Sequence, residues 1–343
     1  MLRTDRQSAE CRPTASAKGM TPLQLTLAQS PNPRPTVLRD FEVRLDLDFA
    51  VSTRATLCGR EGAPVVVVLG GISANRFVAR CDDGRPGWWA SLVSEGSGVD
   101  LDHFQVLGLD FAADDTGRTA PSSADQAGVI CGALDAVGAA KAHAIVGASY
   151  GGMVALAAAE HHPERVDRVV AVSAGACPHP FATALRELQR RVVDLGLRNG
   201  DPDEALSIAR GIAMLSYRTA EEFDQRFSGG IPGHDCLGTS GAGEYLRARG
   251  EQFRSVMSPE RFLSLSASID RHFVNPERIA APTLIIGAET DQLVPPGQLQ
   301  ALHARLAGPS HLHLLPCLYG HDMFLKEPET LAALVKPFLE EDL

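Results

Sequence analysis

Apolar and charged positions alternate with a period of two over Phe41-Glu42-Val43-Arg44-Leu45-Asp46-Leu47, which predicts a half-buried strand. Ser52 to Cys58 continues as a second strand. The pattern then changes. Pro64-Val65-Val66-Val67-Val68-Leu69 is one continuous apolar run ending in Gly70-Gly71, the form of a parallel strand covered on both faces. Phe104 to Asp110 is the next strand. From Ser123 to Val137 the period becomes helical, with apolar residues at Val129-Ile130, Ala133-Leu134 and Val137. A buried strand at Ala144–Ala148, an alanine-rich helix and a strand over Arg165–Ser173 follow. Strand and helix in alternation predict an α/β fold with a mostly parallel, doubly wound sheet.

The alternation breaks after Ser173. From about Pro178 to His272 there is no clear strand, only helical segments: Phe181–Leu195, Pro202–Ser216, Ala220–Phe227, Gly243–Val256 and one opening at Ser258-Pro259. Such an insertion, placed above a sheet edge, reads as a cap. The sheet resumes at Pro282–Gly287 and Leu312–Pro316, and the chain closes on a helix over Pro328–Leu339. The predicted organisation is a polar N-terminal stretch over 1–35 (disordered, or an over-extended start with Met20 as the initiator), core over 36–177, helical cap over 178–275 and core again over 276–343.

The centre of this pattern is Ala144-Ile145-Val146-Gly147-Ala148-Ser149-Tyr150-Gly151-Gly152-Met153, a strand, then Gly-x-Ser-x-Gly, then a helix. That is the sequence form of a nucleophile elbow. A serine on so sharp a turn is strained, and its flanking glycines remove the Cβ atoms that would block the packing. The Tyr150 N–H, at the start of the helix, is one candidate oxyanion donor. The loop Gly70-Gly71-Ile72-Ser73-Ala74-Asn75 leaves the C-terminal end of its strand, the ligand edge of such a sheet, and offers the Gly71 N–H as the second.

A nucleophilic serine needs a base, and the base needs an orienting carboxylate. Past one late strand stands Glu289-Thr290-Asp291, and past the last stands Tyr319-Gly320-His321-Asp322. The order Ser149, Asp291, His321 is that of an α/β-hydrolase. Asp291 competes with Glu289 for the role and has an alternative use as a cap for a following helix. His161, His162, His311 and His313 fall in ordinary helix-end or strand contexts, and no metal-ligand constellation is evident. Pro86-Gly87-Trp88-Trp89 holds both tryptophans and reads as core or loop anchor rather than a stacking platform.

Composition narrows the picture. A net charge of −10 over 343 residues argues against general nucleic-acid binding. No apolar run is long enough for a membrane span. Seven cysteines, an odd number with no Cys-x-x-Cys pair and no secretory segment, read as reduced thiols of a cytoplasmic protein.

Over about residues 40–340 the chain resembles the homoserine O-acyltransferases of methionine biosynthesis. The likeness is carried by Gly-x-Ser-x-Gly-Gly-Met at 147–153, Pro86-Gly87-Trp88-Trp89, Tyr217-Arg218-Thr219-Ala220-Glu221-Glu222-Phe223, Tyr245-Leu246-Arg247-Ala248-Arg249-Gly250-Glu251-Gln252-Phe253, Phe262-Leu263-Ser264-Leu265 and Gly320-His321-Asp322. It implies an α/β-hydrolase fold and ping-pong acyl transfer from an acyl-CoA co-substrate to the hydroxyl of L-homoserine through Ser149, with no further cofactor. It also implies that an arginine of the first cap helix, best matched by Arg190 with Arg191 one step away, binds the amino acid carboxylate. Asp322 would take the ammonium, and a homodimer would form through the cap helices. Unaided, Arg190 reads as a solvated helix-face charge.

Two departures bear on the acyl donor. Tyr150 stands where many acetyl-transferring members have Met, and the oxyanion loop reads Leu69-Gly70-Gly71-Ile72-Ser73 rather than the His-Ala-Leu-Thr-Gly type. These resemble the succinyl-CoA-using subgroup, so homoserine O-succinyltransferase is the leading expectation. Acetyl-CoA as donor, or serine as acceptor, is the alternative. A succinyl group brings a carboxylate that needs a polar partner in the pocket, and the sequence names none. An esterase or C–C hydrolase on the same fold, with a wide cleft, is a further alternative, and a non-catalytic binding protein requires that the three side chains fail to converge.

Overall fold

The computed structural model describes residues 39–46, 50–81, 84–227, 238 and 240–341. The readings made for the N-terminal stretch, including Met20 as a start, lie outside the described residues, as do Cys11 and Cys236.

Strands β1 (Arg39–Asp46) and β2 (Ala50–Gly59) form an antiparallel hairpin. They are followed by β3 (Val65–Leu69), β4 (Gln105–Leu109), α1 (Ser123–Val137), β5 (Ala144–Ala148), α2 (Tyr150–His161) and β6 (Val169–Val172). Among the described residues, five helices come next without a strand: α3 (Pro180–Asn199), α4 (Pro202–Tyr217), α5 (Ala220–Arg226), α6 (Gly241–Phe253) and α7 (Pro259–Asp270). The sheet resumes with β7 (Thr283–Ala288), α8 (Pro296–Arg305), β8 (Ser310–Leu315), α9 (Met323–Lys326) and α10 (Pro328–Glu340).

The eight strands lie in the order β1-β2-β4-β3-β5-β6-β7-β8. From β4 onward every neighbour is parallel, while β1 and β2 are antiparallel additions at one edge. Strands β3, β5, β6 and β7 are buried along their whole length, as their unbroken apolar runs require. Alternate residues feed two layers. Val67, Ile145, Ala171 and Ile285 face one core with α1 and α2. Val66, Val68, Val146, Val170 and Ile286 face the other, with Trp89 and α10.

The chain runs from β3 to β4 on one side and returns to β5 on the other, so strand order reverses at β3 and β5. In doubly wound sheets the crevice at the C-terminal ends of such strands is where ligands bind. Registers Leu69↔Gly147 and Gly147↔Ala171 bring the ends of β3, β5 and β6 level there.

Sequence and structure differ at the margins. The strand expected over Arg165–Ser173 is ordered as a strand only over Val169–Val172, because Pro163–Arg165 closes a short 3₁₀ turn first. Helix α8 is the helix expected after Pro295: Pro296 opens it, and Pro in the first helical turn costs no hydrogen bond.

Candidate active site

Ser149 sits between β5 and α2 with φ 54° and ψ −122°, a strained conformation for a residue with a side chain. The glycines around it make the turn possible. A Cβ on Gly147 would stand 2.2 Å from the carbonyl of Gly151, and one on Gly151 would stand 2.5 Å from the carbonyl of Leu69. The Ser149 N–H donates to Val172 O at 2.8 Å, which ties the elbow to the neighbouring strand.

His321 lies in a 3₁₀ turn, Gly320–Asp322, after β8. Its Nε2 is 2.8 Å from Ser149 Oγ, and its Nδ1 is 2.7 Å from Asp291 Oδ2. The three side chains therefore converge within hydrogen-bond reach. Asp291 is buried, whereas Glu289 is exposed. Asp291 does not cap α8, whose N-cap is Pro295 with no side-chain cap bond. Oδ1 accepts the backbone N–H groups of Leu293 and Val294, at 2.9 and 3.0 Å, and Oδ2 is left for His321. One oxygen builds the turn and the other holds the imidazole.

Burial of His321 disfavours the imidazolium, but the field and hydrogen bond of the Asp291 carboxylate, with help from Asp322, outweigh it and raise its pKa above the ordinary value. Its ring lies against Tyr217 at 5.8 Å and edge-on to Phe324 at 6.1 Å.

Tyr150 opens α2, so its N–H has no acceptor within the helix. Its phenol is buried, beside Phe111, and is hydrogen-bonded to Ser268 Oγ on α7. The β3 loop is pinned to the elbow because the Gly151 N–H donates to Gly70 O at 2.8 Å. Trp88 presses on that loop: a Cβ on Gly70 would meet its ring at 2.7 Å, and its Nε1–H donates to Asn75 O at 2.9 Å. Both tryptophans are thus anchors, as expected. Gly71 follows Gly70 directly, which brings its backbone to the mouth of the same turn.

Ser149 and His321 open into a narrow pocket of about 50 Å³. Apolar residues from both sides wall it, among them Ile72, Met153 and Val294 from the core and Leu185, Phe262 and Ile269 from the cap helices. It is not a wide cleft. The turn after α4 is laced to both loops of the relay: Gln292 Nε2 donates to Ser216 O at 3.2 Å, and Thr219 Oγ1 donates to Leu318 O at 2.6 Å.

Two expected residues are placed differently. Arg190 does not line the pocket. Its Nη1 is turned to Ser266 and to Asp270 Oδ2, at 2.6 Å, and the arginine of α3 that does line the pocket is Arg186, one turn earlier. Helical period explains the shift, since residues four apart share a face. Asp322 does not line the pocket either. It is buried behind His321, with Oδ2 3.1 Å from Arg218 Nη2. Burial raises the Asp322 pKa, against the pull of Arg218 and His321.

Arg218 is the residue that sequence reasoning missed. It is buried between Glu222 and Asp322, and its Nε has no hydrogen-bond partner. Spaced four residues from Glu222 on a polar stretch, it reads as an ordinary surface pair. Its place within Tyr217-Arg218-Thr219 was the available signal. Elsewhere, Asp100, His103 and Glu340 come close enough to suggest a metal group, but the Lys336 ammonium already occupies that cluster, 3.0 Å from Asp100 Oδ2. Among the described residues, no helix is long and apolar enough to cross a membrane.

A mostly parallel sheet with an elbow serine after β5, a buried aspartate after β7 and a histidine after β8 defines an α/β-hydrolase-fold protein, and the model of that fold matches residues 64–328. Within it, the chain belongs to the homoserine O-acyltransferase family. It is 39% identical over 307 residues to a homoserine O-succinyltransferase of Xanthomonas campestris, covering 88% of this chain and 83% of the relative. It is 33% identical to a homoserine O-acetyltransferase of Thermus thermophilus, covering 75% and 73%. The crystal structure of a homoserine O-acetyltransferase from Bacillus anthracis superposes with a TM-score of 0.80 at 16% identity, covering 90% of this chain and 98% of that one, a likeness of fold alone.

Proposed function

We propose that this chain is a homoserine O-succinyltransferase working by a ping-pong mechanism, with succinyl-CoA and L-homoserine as co-substrates. The carrying observation is the Ser149–His321–Asp291 relay opening beneath a helical cap. The choice of succinyl over acetyl is supported by the Xanthomonas campestris relative and by Tyr150 in place of Met.

His321 Nε2 takes the proton of Ser149 as Oγ attacks the thioester carbonyl. The Tyr150 and Gly71 N–H groups receive the oxyanion. Collapse breaks the C–S bond, and CoA leaves with the proton that His321 held. The homoserine hydroxyl then attacks the acyl-enzyme, giving its proton to His321, and the ester forms as Ser149 regains its hydrogen. Asp291 keeps the imidazole in the tautomer with Nδ1 protonated and stabilises the imidazolium. The homoserine ammonium falls to Asp322, as the resemblance implies; Asp322 lies behind His321 in an ion pair with Arg218, so the acceptor must displace that pair to reach it, and no residue is assigned to the homoserine carboxylate. Arg190, expected to hold that carboxylate, is committed to Asp270 instead.

An acetyl donor is the second reading, favoured by the acetyltransferases among the relatives. Exposed apolar residues at seven-residue spacing on α3 (Phe181, Leu188, Leu195) and α4 (Ile208, Leu215) support a homodimer formed through the cap. The deciding test is homoserine-dependent CoA release with succinyl-CoA and acetyl-CoA side by side, with Ser149→Ala as control. A strong succinyl preference abolished in the variant supports the proposal. Acetyl preference replaces the donor and keeps the mechanism, and no homoserine dependence with either donor overturns acyl transfer.

A further inference from the structure

Helix α3 brings a second kind of charge to the pocket that holds Ser149 and His321. Arg186 lines it and is clamped in place. Its Nε and Nη2 both donate to Asp270 Oδ1, at 2.8 and 2.6 Å, and Nη2 lies 3.4 Å from Thr183 Oγ1. One turn later, Arg190 donates to Asp270 Oδ2 at 2.6 Å and to the carbonyl and hydroxyl of Ser266 at 3.1 Å. Both oxygens of one carboxylate are thus engaged by two guanidiniums, and Thr183 adds a third donor on Oδ1 at 2.9 Å.

The charge count does not close. Two arginines against one aspartate leave a surplus positive charge, in side chains only 14%, 20% and 11% exposed for Arg186, Arg190 and Asp270. A charge withdrawn from water this far is costly until an anion meets it. Arg186 Nη1 makes no hydrogen bond among the described residues, and the pocket wall that α3 and α7 build around it joins apolar Ala182, Leu185 and Ile269 to the uncharged polar Gln189 and Ser266, with no carboxylate among them. The Arg186 charge is also felt at His321, where it opposes the imidazolium.

We propose that Arg186, fixed by Asp270, receives the distal carboxylate of a dicarboxylic acyl group whose other end is esterified to Ser149. The inference rests on the acyl-transfer reading above and names the residue that sets its donor preference. The acceptor is the wrong match for this subsite. A zwitterionic amino acid needs both signs of charge. The Arg186 cluster offers only a cation, because its one carboxylate is saturated. A planar guanidinium edge suits a carboxylate better than an ammonium would, and an acetyl group has nothing to place there.

The test compares acylation half-reactions, read as the burst of CoA release without homoserine, using succinyl-CoA and acetyl-CoA on the wild type, Arg186→Gln and Arg186→Lys. The expected result is that Arg186→Gln lowers the succinyl-over-acetyl ratio of kcat/KM by about thirtyfold or more, the scale of removing one partner from a desolvated charge pair, and that Arg186→Lys restores part of it. An unchanged ratio, with both donors slowed together, overturns the proposal. Wild type that prefers acetyl-CoA defeats the donor reading before any variant is made, and so separates the two failures. Should neither variant fold, butyryl-CoA on the wild type decides: it has the chain length without the charge and must be the poorer donor, and parity with succinyl-CoA overturns the assignment.

Discussion

Trp89 and Phe324, 235 residues apart, are joined by a hydrogen bond: the indole Nε1–H donates to the Phe324 carbonyl at 2.9 Å. Phe324 in turn sets its ring edge-on to His321. The Pro-Gly-Trp-Trp segment thereby supports both sides of the candidate site, with Trp88 on the β3 loop and Trp89 behind the turn that carries His321. Trp89→Phe leaves the Phe324 carbonyl without its donor and a gap beside it. The expected loss is ~2–4 kcal/mol of stability, from the unmet hydrogen bond and the lost packing together. Urea denaturation measures it, and a loss under ~0.5 kcal/mol contradicts the anchoring role.

Asp291→Asn keeps the shape of the acid loop and removes the charge that outweighs burial at His321. The rate of acylation should fall by ~10³–10⁴, because the imidazole loses the partner that fixes its tautomer. The pH profile carries the sign. His321 must be neutral to accept a proton, so wild-type kcat/KM for the acyl-CoA rises with pH through a pKa above 6.5. The variant's residual activity should rise through a lower pKa, and an unmoved profile would separate Asp291 from the titrating group.

The sheet, the elbow and the order of the relay were legible because each rests on local chemistry. Val65–Leu69 and Ala144–Ala148 are apolar at every position, which only burial on both faces explains, and Gly147 and Gly151 flank Ser149 where the structure leaves no room for a Cβ. The cap was legible as helices but not as a binding surface. Arg186, Arg190, Arg191 and Arg218 look alike along the chain, and what separates them is which ones meet Asp270 or Asp322 across tens of residues. Arg190 faces Ser266 and Asp270 while Arg186, one turn earlier, lines the pocket, a difference that local spacing along α3 does not show.

Gly151→Ala tests the steric account of the elbow. The new methyl must stand 2.5 Å from Leu69 O, a backbone atom with little freedom. Overpacking of this kind costs ~1–3 kcal/mol, and relief by moving β3 or α2 displaces the oxyanion donors. A variant with wild-type melting temperature and turnover would refute the close approach.

His272 gives the fold an acid-sensitive point. It is buried with Nδ1 on Ser123 Oγ at 2.8 Å and Nε2 on Gly175 O at 3.1 Å, and burial lowers its pKa to about 4. In the unfolded chain it titrates near 6.5, so between pH 6.5 and 4 the unfolded state binds more protons and stability falls as pH falls. Denaturation at pH 7 and pH 5 should differ by roughly 2 kcal/mol from this group alone. The difference should shrink in His272→Gln, and an equal pH dependence in the variant would remove His272 as its source.

Asp322→Asn should raise KM for the amino acid acceptor tenfold or more, since it removes a charged partner for the ammonium, while the acylation burst with acyl-CoA stays within a few-fold. Loss of the burst instead would place Asp322 with the relay rather than with the acceptor.

Helices α3 to α7 enter the chain between β6 and β7 as one uninterrupted passage, and none of Ser149, Asp291 and His321 belongs to it. The relay therefore stands on loops of the sheet, and one wall of its pocket, with Arg186, stands on a passage whose residues can change without replacing any of those three. Relatives named for two donors and two acceptors, and esterases on the same sheet, are what such a division of labour would leave behind.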